Sequence, residues 1–94
     1  MRNPSDKEYI FTQHALFEME QRGLSKQIVA TVIENPEQHW EIQQGRYVFQ
    51  SRVPMGSSEK LFLVRVLLDM DRQPREIVTA YRTSKIDKYW REEQ

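Results

Sequence analysis

The hydrophobic period of this chain changes from helical to alternating at Asn35-Pro36, and that change points to one fold class. Before it, apolar residues recur at intervals of three and four: Ala15, Leu16 and Met19, then Ile28, Val29, Val32 and Ile33. After it they alternate, most plainly along residues 46–53 and in the apolar run LFLVRVLLDM. Side chains share a face every 3.6 residues on a helix and every two on a strand. Helices first and strands afterwards make an α+β protein, with helices packed on one face of an antiparallel sheet. The other face is expected to be at least partly open to solvent.

The punctuation sets the boundaries. Thr12 is an N-cap for a helix over 13–22, since its hydroxyl can accept from the free amides of the first turn. Gly23 reads as the C′ residue, with Leu24 as the hydrophobic contact beyond it. Ser25 caps a second helix over 26–34, and Pro36 stops it because the residue before proline resists the helical region. The short connection predicts an αα-hairpin. A short edge strand is expected at 9–11, and strands at 37–43, 46–53, 60–70 and 76–81, with turns at Gln44-Gly45, 54–58 and 71–75. A last helix begins at Ser84. The expected architecture is an N-terminal αα-hairpin, a three- or four-stranded antiparallel sheet and a C-terminal helix. They form a single domain over 1–94 with its core at about 9–91.

Composition bounds the function. The 94 residues carry 14 basic and 14 acidic side chains, which disfavours strong non-specific binding to nucleic acid, a property that rests on surplus Lys and Arg. The charge is unevenly spread: seven acidic against four basic residues lie between Met1 and Gln44, and six basic against four acidic between Arg72 and Gln94. An anion site therefore belongs in the C-terminal half. With no cysteine there is no disulfide framework and no thiolate metal site, which suits a reducing, cytoplasmic setting. No apolar run approaches the roughly 18 residues of a membrane span, and MRNPSDKEY lacks the apolar core of a signal peptide. No membrane association is expected.

The pleat places the candidate chemistry. In the long strand Phe62, Val64, Val66 and Leu68 form an uninterrupted apolar set, so Arg65 goes to the open face, where a charge need not be buried unpaired. By the same logic Val78 and Ala80 face the helices, while Ile77, Thr79 and Tyr81 join Arg65, with Arg46 or Arg52 from the preceding strand. A guanidinium, a hydroxyl and a phenol would then converge. Arg82, Thr83, Ser84 and Lys85 make a basic, hydroxylated exit from the last strand. Plainer roles exist for all of these: Thr and Tyr suit any pleated surface, and the Arg65 stem can simply cover Leu63 and Leu67.

His14 sits in the first turn of a helix, where the dipole favours the neutral, proton-accepting imidazole. His39 reads as a surface side chain. His14 and Glu18 at i,i+4 lack a third ligand, so no metal is expected. No Gly-rich phosphate loop, nucleophile elbow or Cys–His pair is present, and Glu8, Glu18 and Glu20 read as a solvated acidic face. The acidic segment 13–34 does not suit a DNA-recognition helix. No cofactor is expected.

The segments Thr12-Gln13-His14-Ala15, Arg22-Gly23-Leu24-Ser25, Asn35-Pro36 and Val78-Thr79-Ala80-Tyr81, continued by Arg82-Thr83-Ser84-Lys85 and Tyr89-Trp90, resemble a bacterial family known as domain of unknown function 4258. That family is similar to the RelE/ParE-type toxin fold. The resemblance implies a metal-independent endoribonuclease, or a toxin-like component paired with an antitoxin-like protein. In the nuclease reading His14, Tyr81 and Arg65 are catalytic, Thr79, Arg82 and Lys85 bind phosphate or RNA, and the ribose 2′-hydroxyl is the nucleophile. The alternative is a non-catalytic interaction module using the open sheet face or edge, with Trp40, Tyr47 and Phe49 as anchors. A monomer or homodimer is expected in either case.

Overall fold

One threonine joins the two ends of the chain. The Thr12 hydroxyl donates to the Ile77 carbonyl at 2.8 Å and accepts from the Ala15 amide at 3.1 Å. The N-cap of the first helix is thereby also a clamp on the last strand. The computed structural model describes residues 8–92. In order, it contains β1 (Tyr9–Phe11), α1 (Gln13–Arg22), α2 (Lys26–Glu34), β2 (Gln38–Gln43), β3 (Arg46–Met55), β4 (Lys60–Asp69), β5 (Arg75–Thr83) and α3 (Ile86–Tyr89).

Both long helices keep the boundaries their caps predict. Ser25 accepts from the Ile28 amide at 3.1 Å. Gly23 takes the left-handed conformation, φ 66°, that lets the Leu24 amide turn back to the Met19 carbonyl. Each helix makes its main contacts with the sheet: α1 packs on β5, and α2 packs on β3 and β4.

The strands form one five-stranded sheet in the order β1-β5-β4-β3-β2. The expectation of a purely antiparallel sheet of three or four strands is corrected here. β1 is a full member and runs parallel to β5, Phe11 lying beside Ile77. A parallel neighbour needs a long crossover, which α1 through β4 provides. β3 also runs further than expected, through Pro54 to Met55, pairing with Leu61 and Lys60.

Facing the helices, Phe49, Val64, Val66, Leu68, Ile77 and Ala80 pack against Ala15, Met19, Leu24, Val29 and Val32. Here a second expectation is corrected: Ile77 is fully buried in this core, and Val78 is not part of it. The cause is a β-bulge. Leu67 pairs with Thr79 and Leu68 pairs with Ile77, so Val78 is an extra residue on β5. One inserted residue reverses which side chains point to which face. Beyond the bulge Thr79 and Tyr81 keep the face the alternation predicts.

A third correction concerns the C-terminal helix. Rather than joining α1 and α2, α3 and the residues after it lie on the opposite face of the sheet, against Gln50 and Arg65. Val48 and Leu63, which share that face, are fully buried.

At the far end of the β3–β4 pair, Arg46 grips Asp69 with two hydrogen bonds, of 2.7 and 3.1 Å. Those bonds hold the Asp69 carboxyl below the usual aspartate range, with burial opposing them. A carboxyl with a lowered folded pKa adds stability that is complete above its unfolded value, about 4, and is lost as pH falls through the folded value. Urea midpoints are therefore expected to drop as pH is lowered beneath that range, and Asp69→Asn should flatten the drop. Glu37, held low chiefly by hydrogen bonds from Arg52, accounts for slope that remains. An unchanged decline in Asp69→Asn would refute the assignment.

Candidate functional site

The face away from α1 and α2 carries a polar ladder one side chain wide and four strands long. Register places Gln38 opposite Gln50, Gln50 opposite Arg65, and Arg65 opposite Tyr81. Each step is hydrogen-bonded. Gln50 Nε2 donates to Gln38 Oε1 at 2.8 Å, Arg65 Nε donates to Gln50 Oε1 at 2.8 Å, and Arg65 donates through Nη1 to the Tyr81 hydroxyl at 2.6 Å. Directly opposed residues on a sheet face are the closest side-chain neighbours two strands can offer, so the ladder follows from the register alone.

Across this ladder lies the C-terminal segment, acting as a strap. Gln50 Nε2 also donates to the Tyr89 carbonyl at 3.2 Å. Gln38 holds both main-chain groups of Arg91, accepting from its amide at 3.1 Å and donating to its carbonyl at 2.5 Å. Three ring-to-guanidinium stacks alternate along the strap: Arg65 lies 4.4 Å from the Tyr89 ring centroid, Arg52 lies 4.1 Å from Trp90, and Arg91 lies 4.0 Å from Trp40. Tyr81 and Tyr89 meet edge to face at 6.4 Å. Gln50 has no exposed surface, so this buried amide is a junction between ladder and strap.

The residues expected to do chemistry are divided by this arrangement. Arg65 and Tyr81 are brought together, and Thr79 lies two residues along β5 on the same face. His14 is exposed, in the first turn of α1 beside the Ile77 end of β5. The α1 residue that reaches Tyr81 is Arg22, 5.8 Å from the ring. Eight residues of helix separate His14 from Arg22, about 12 Å of rise. Arg82 points to the helix side, over Phe62 at 4.6 Å and against the Met55 sulfur at 3.7 Å. Lys85 is exposed in the link to α3. Tyr47 and Phe49, expected as anchors, belong to the core on the helix side, while Trp40 does lie on the strap side. Among the described residues there is no cluster of three or more metal-ligating side chains.

The edge reading is narrowed as well. Just before β2 begins, the Glu37 carboxylate accepts from the Arg52 amide at 2.8 Å and binds its guanidinium at 3.0 and 2.9 Å. Two residues further on Pro54 has no amide to offer. An edge blocked by a side chain and a proline does not accept an added strand. On β3, the face is left as the surface for recognition.

Arg52, expected beside Arg65, does lie on this face, stacked on Trp90, whereas Gln38, Gln50 and the strap were not legible as a site in the sequence. The available signal was parity: Gln50 belongs to the alternating set Arg46, Val48, Gln50, Arg52, and a glutamine at the centre of such a set faces whatever polar residue the next strand offers.

These features define a class: a small α+β protein whose mixed sheet carries two helices on one face and its own C-terminal segment on the other. The family described as Domain of unknown function (DUF4258) matches residues 11–82, and the chain belongs to that family. No curated protein and no solved structure shows a significant match. No helix among the described residues is long and apolar enough to cross a membrane.

Proposed function

We propose that this protein is a non-catalytic protein–protein interaction module that works through the sheet face beneath the strap. One observation carries the reading: side chains of that face already bind polypeptide main chain, Gln50 at the Tyr89 carbonyl and Gln38 at both main-chain groups of Arg91. Amide side chains that pair with a neighbour's backbone are a common means of holding an extended segment irrespective of its sequence. The balanced charge of the chain agrees with a protein partner better than with a polyanion. Its lack of cysteine suits the reducing cytoplasm.

A second reading is a metal-independent endoribonuclease of the RelE/ParE toxin type, paired with an antitoxin-like protein. The Arg65–Tyr81 contact favours it, since a guanidinium can hold a phosphate and a phenol can protonate a leaving oxygen. The separation of His14 from that pair weighs against it, because the general base would be missing. The full chain, incubated with single-stranded RNA in EDTA, is expected to leave the RNA intact. Cleavage that disappears in Tyr81→Phe, a change that removes one hydroxyl, would replace the interaction reading with the nuclease one.

A further inference from the structure

Resting on the interaction reading, we infer that the partner segment this face takes is a peptide with two consecutive aromatic residues followed by a basic one, extended from the second aromatic onward. Its own Tyr89-Trp90-Arg91 presents that chemistry in cis. The main-chain bonds from Gln50 and Gln38 fix direction and register and read no side chain. Sequence is read by the three stacks. Arg65 and Arg52 each offer a guanidinium to a ring, which selects aromatic residues at the first two positions. Trp40 offers a ring to a cation, which selects Arg or Lys at the third. The strap is extended at Trp90, with φ −75° and ψ 129°.

The cis occupant is also built to be exchanged. It follows a helix of only four residues, and two residues, Ser84 and Lys85, link that helix to β5. Tyr89 and Trp90 are half-buried and Arg91 is exposed, so the strap is held mainly by the bonds and stacks described above. A tethered segment competes at an effective concentration in the millimolar range, which hides the site from weak partners and yields to a better-matched one.

The test uses the full chain and a fluorescent peptide copying residues 84–94. The Tyr89→Ala/Trp90→Ala variant should bind this peptide about tenfold or more tightly than the wild type, because its own strap no longer competes. Replacing Tyr-Trp-Arg in the peptide by alanines, or adding Gln38→Ala to the protein, should abolish that gain. Absence of binding to the folded double variant would overturn the proposal. Should the double variant not fold, wild-type hydrogen exchange decides. Excess peptide must accelerate exchange of the Arg91 amide, and an unchanged rate refutes the inference. A wild-type dimer formed by strap exchange would assign the face to a second copy and equally overturn it. Capture of a host partner that depends on Trp40 yet is not competed by the peptide would sink the segment chemistry while leaving the interaction reading standing.

Discussion

Ile77→Ala will destabilise this protein far more than Val78→Ala, although the two residues are adjacent and of similar size. Ile77 is fully buried against the helices, and Val78 is the extra residue of the β5 bulge, only partly covered. Truncating a buried isoleucine to alanine costs about 2–5 kcal/mol, because the transfer term and the cavity term add. At Val78 the expected cost is about 1 kcal/mol or less, as for most partly exposed positions. Urea unfolding of the two variants measures the difference. Equal losses, or a larger loss at Val78, would mean that β5 pairs without the bulge. Thr79 and Tyr81 would keep their face with Arg65 either way, since both lie on the same side of Val78.

The second large effect is expected at Gln50. Its buried amide makes three hydrogen bonds, to Gln38, to the Tyr89 carbonyl and from Arg65. Removing it strands the Arg65 Nε donor and the Tyr89 carbonyl acceptor together. A stranded buried polar group costs about 1–3 kcal/mol, so Gln50→Ala should lose about 2–3 kcal/mol. Gln50→Met separates bonding from packing, since it restores most of the volume and none of the polarity. If the ladder matters, Gln50→Met will be nearly as unstable as Gln50→Ala, and the Arg91 amide will exchange faster in both. A methionine variant as stable as wild type would show that Gln50 only fills space.

The particular residues show what could be read from sequence and what could not. Thr12, Gly23, Ser25 and Asn35-Pro36 act within one turn of themselves, and the helices they bound begin and end where their chemistry says. The Arg65–Tyr81 pair was also legible, because both lie on the same side of the bulge and simple alternation carries from one to the other. Ile77 was misplaced because nothing in Ile-Val-Thr-Ala marks a bulge; the extra residue is forced by the pairing of β5 with β4, not by its own side chain. The parallel placement of β1 and the strap over Gln50 depend on residues more than fifty positions apart. Local pattern carries no information at that distance. His14 was legible as a first-turn histidine, but its neighbours across the fold were not.

The Thr12 clamp has a consequence for how the chain acquires its structure. The carbonyl it grips lies 65 residues downstream, so β1 has no partner until β5 is in place. Contacts of such long sequence separation slow folding, because the loop between them must close before they return any free energy. During synthesis, α1 and α2 can form early, whereas β1 must wait until β5 has left the ribosome. The first strand in the sequence is therefore among the last to be stitched into the sheet.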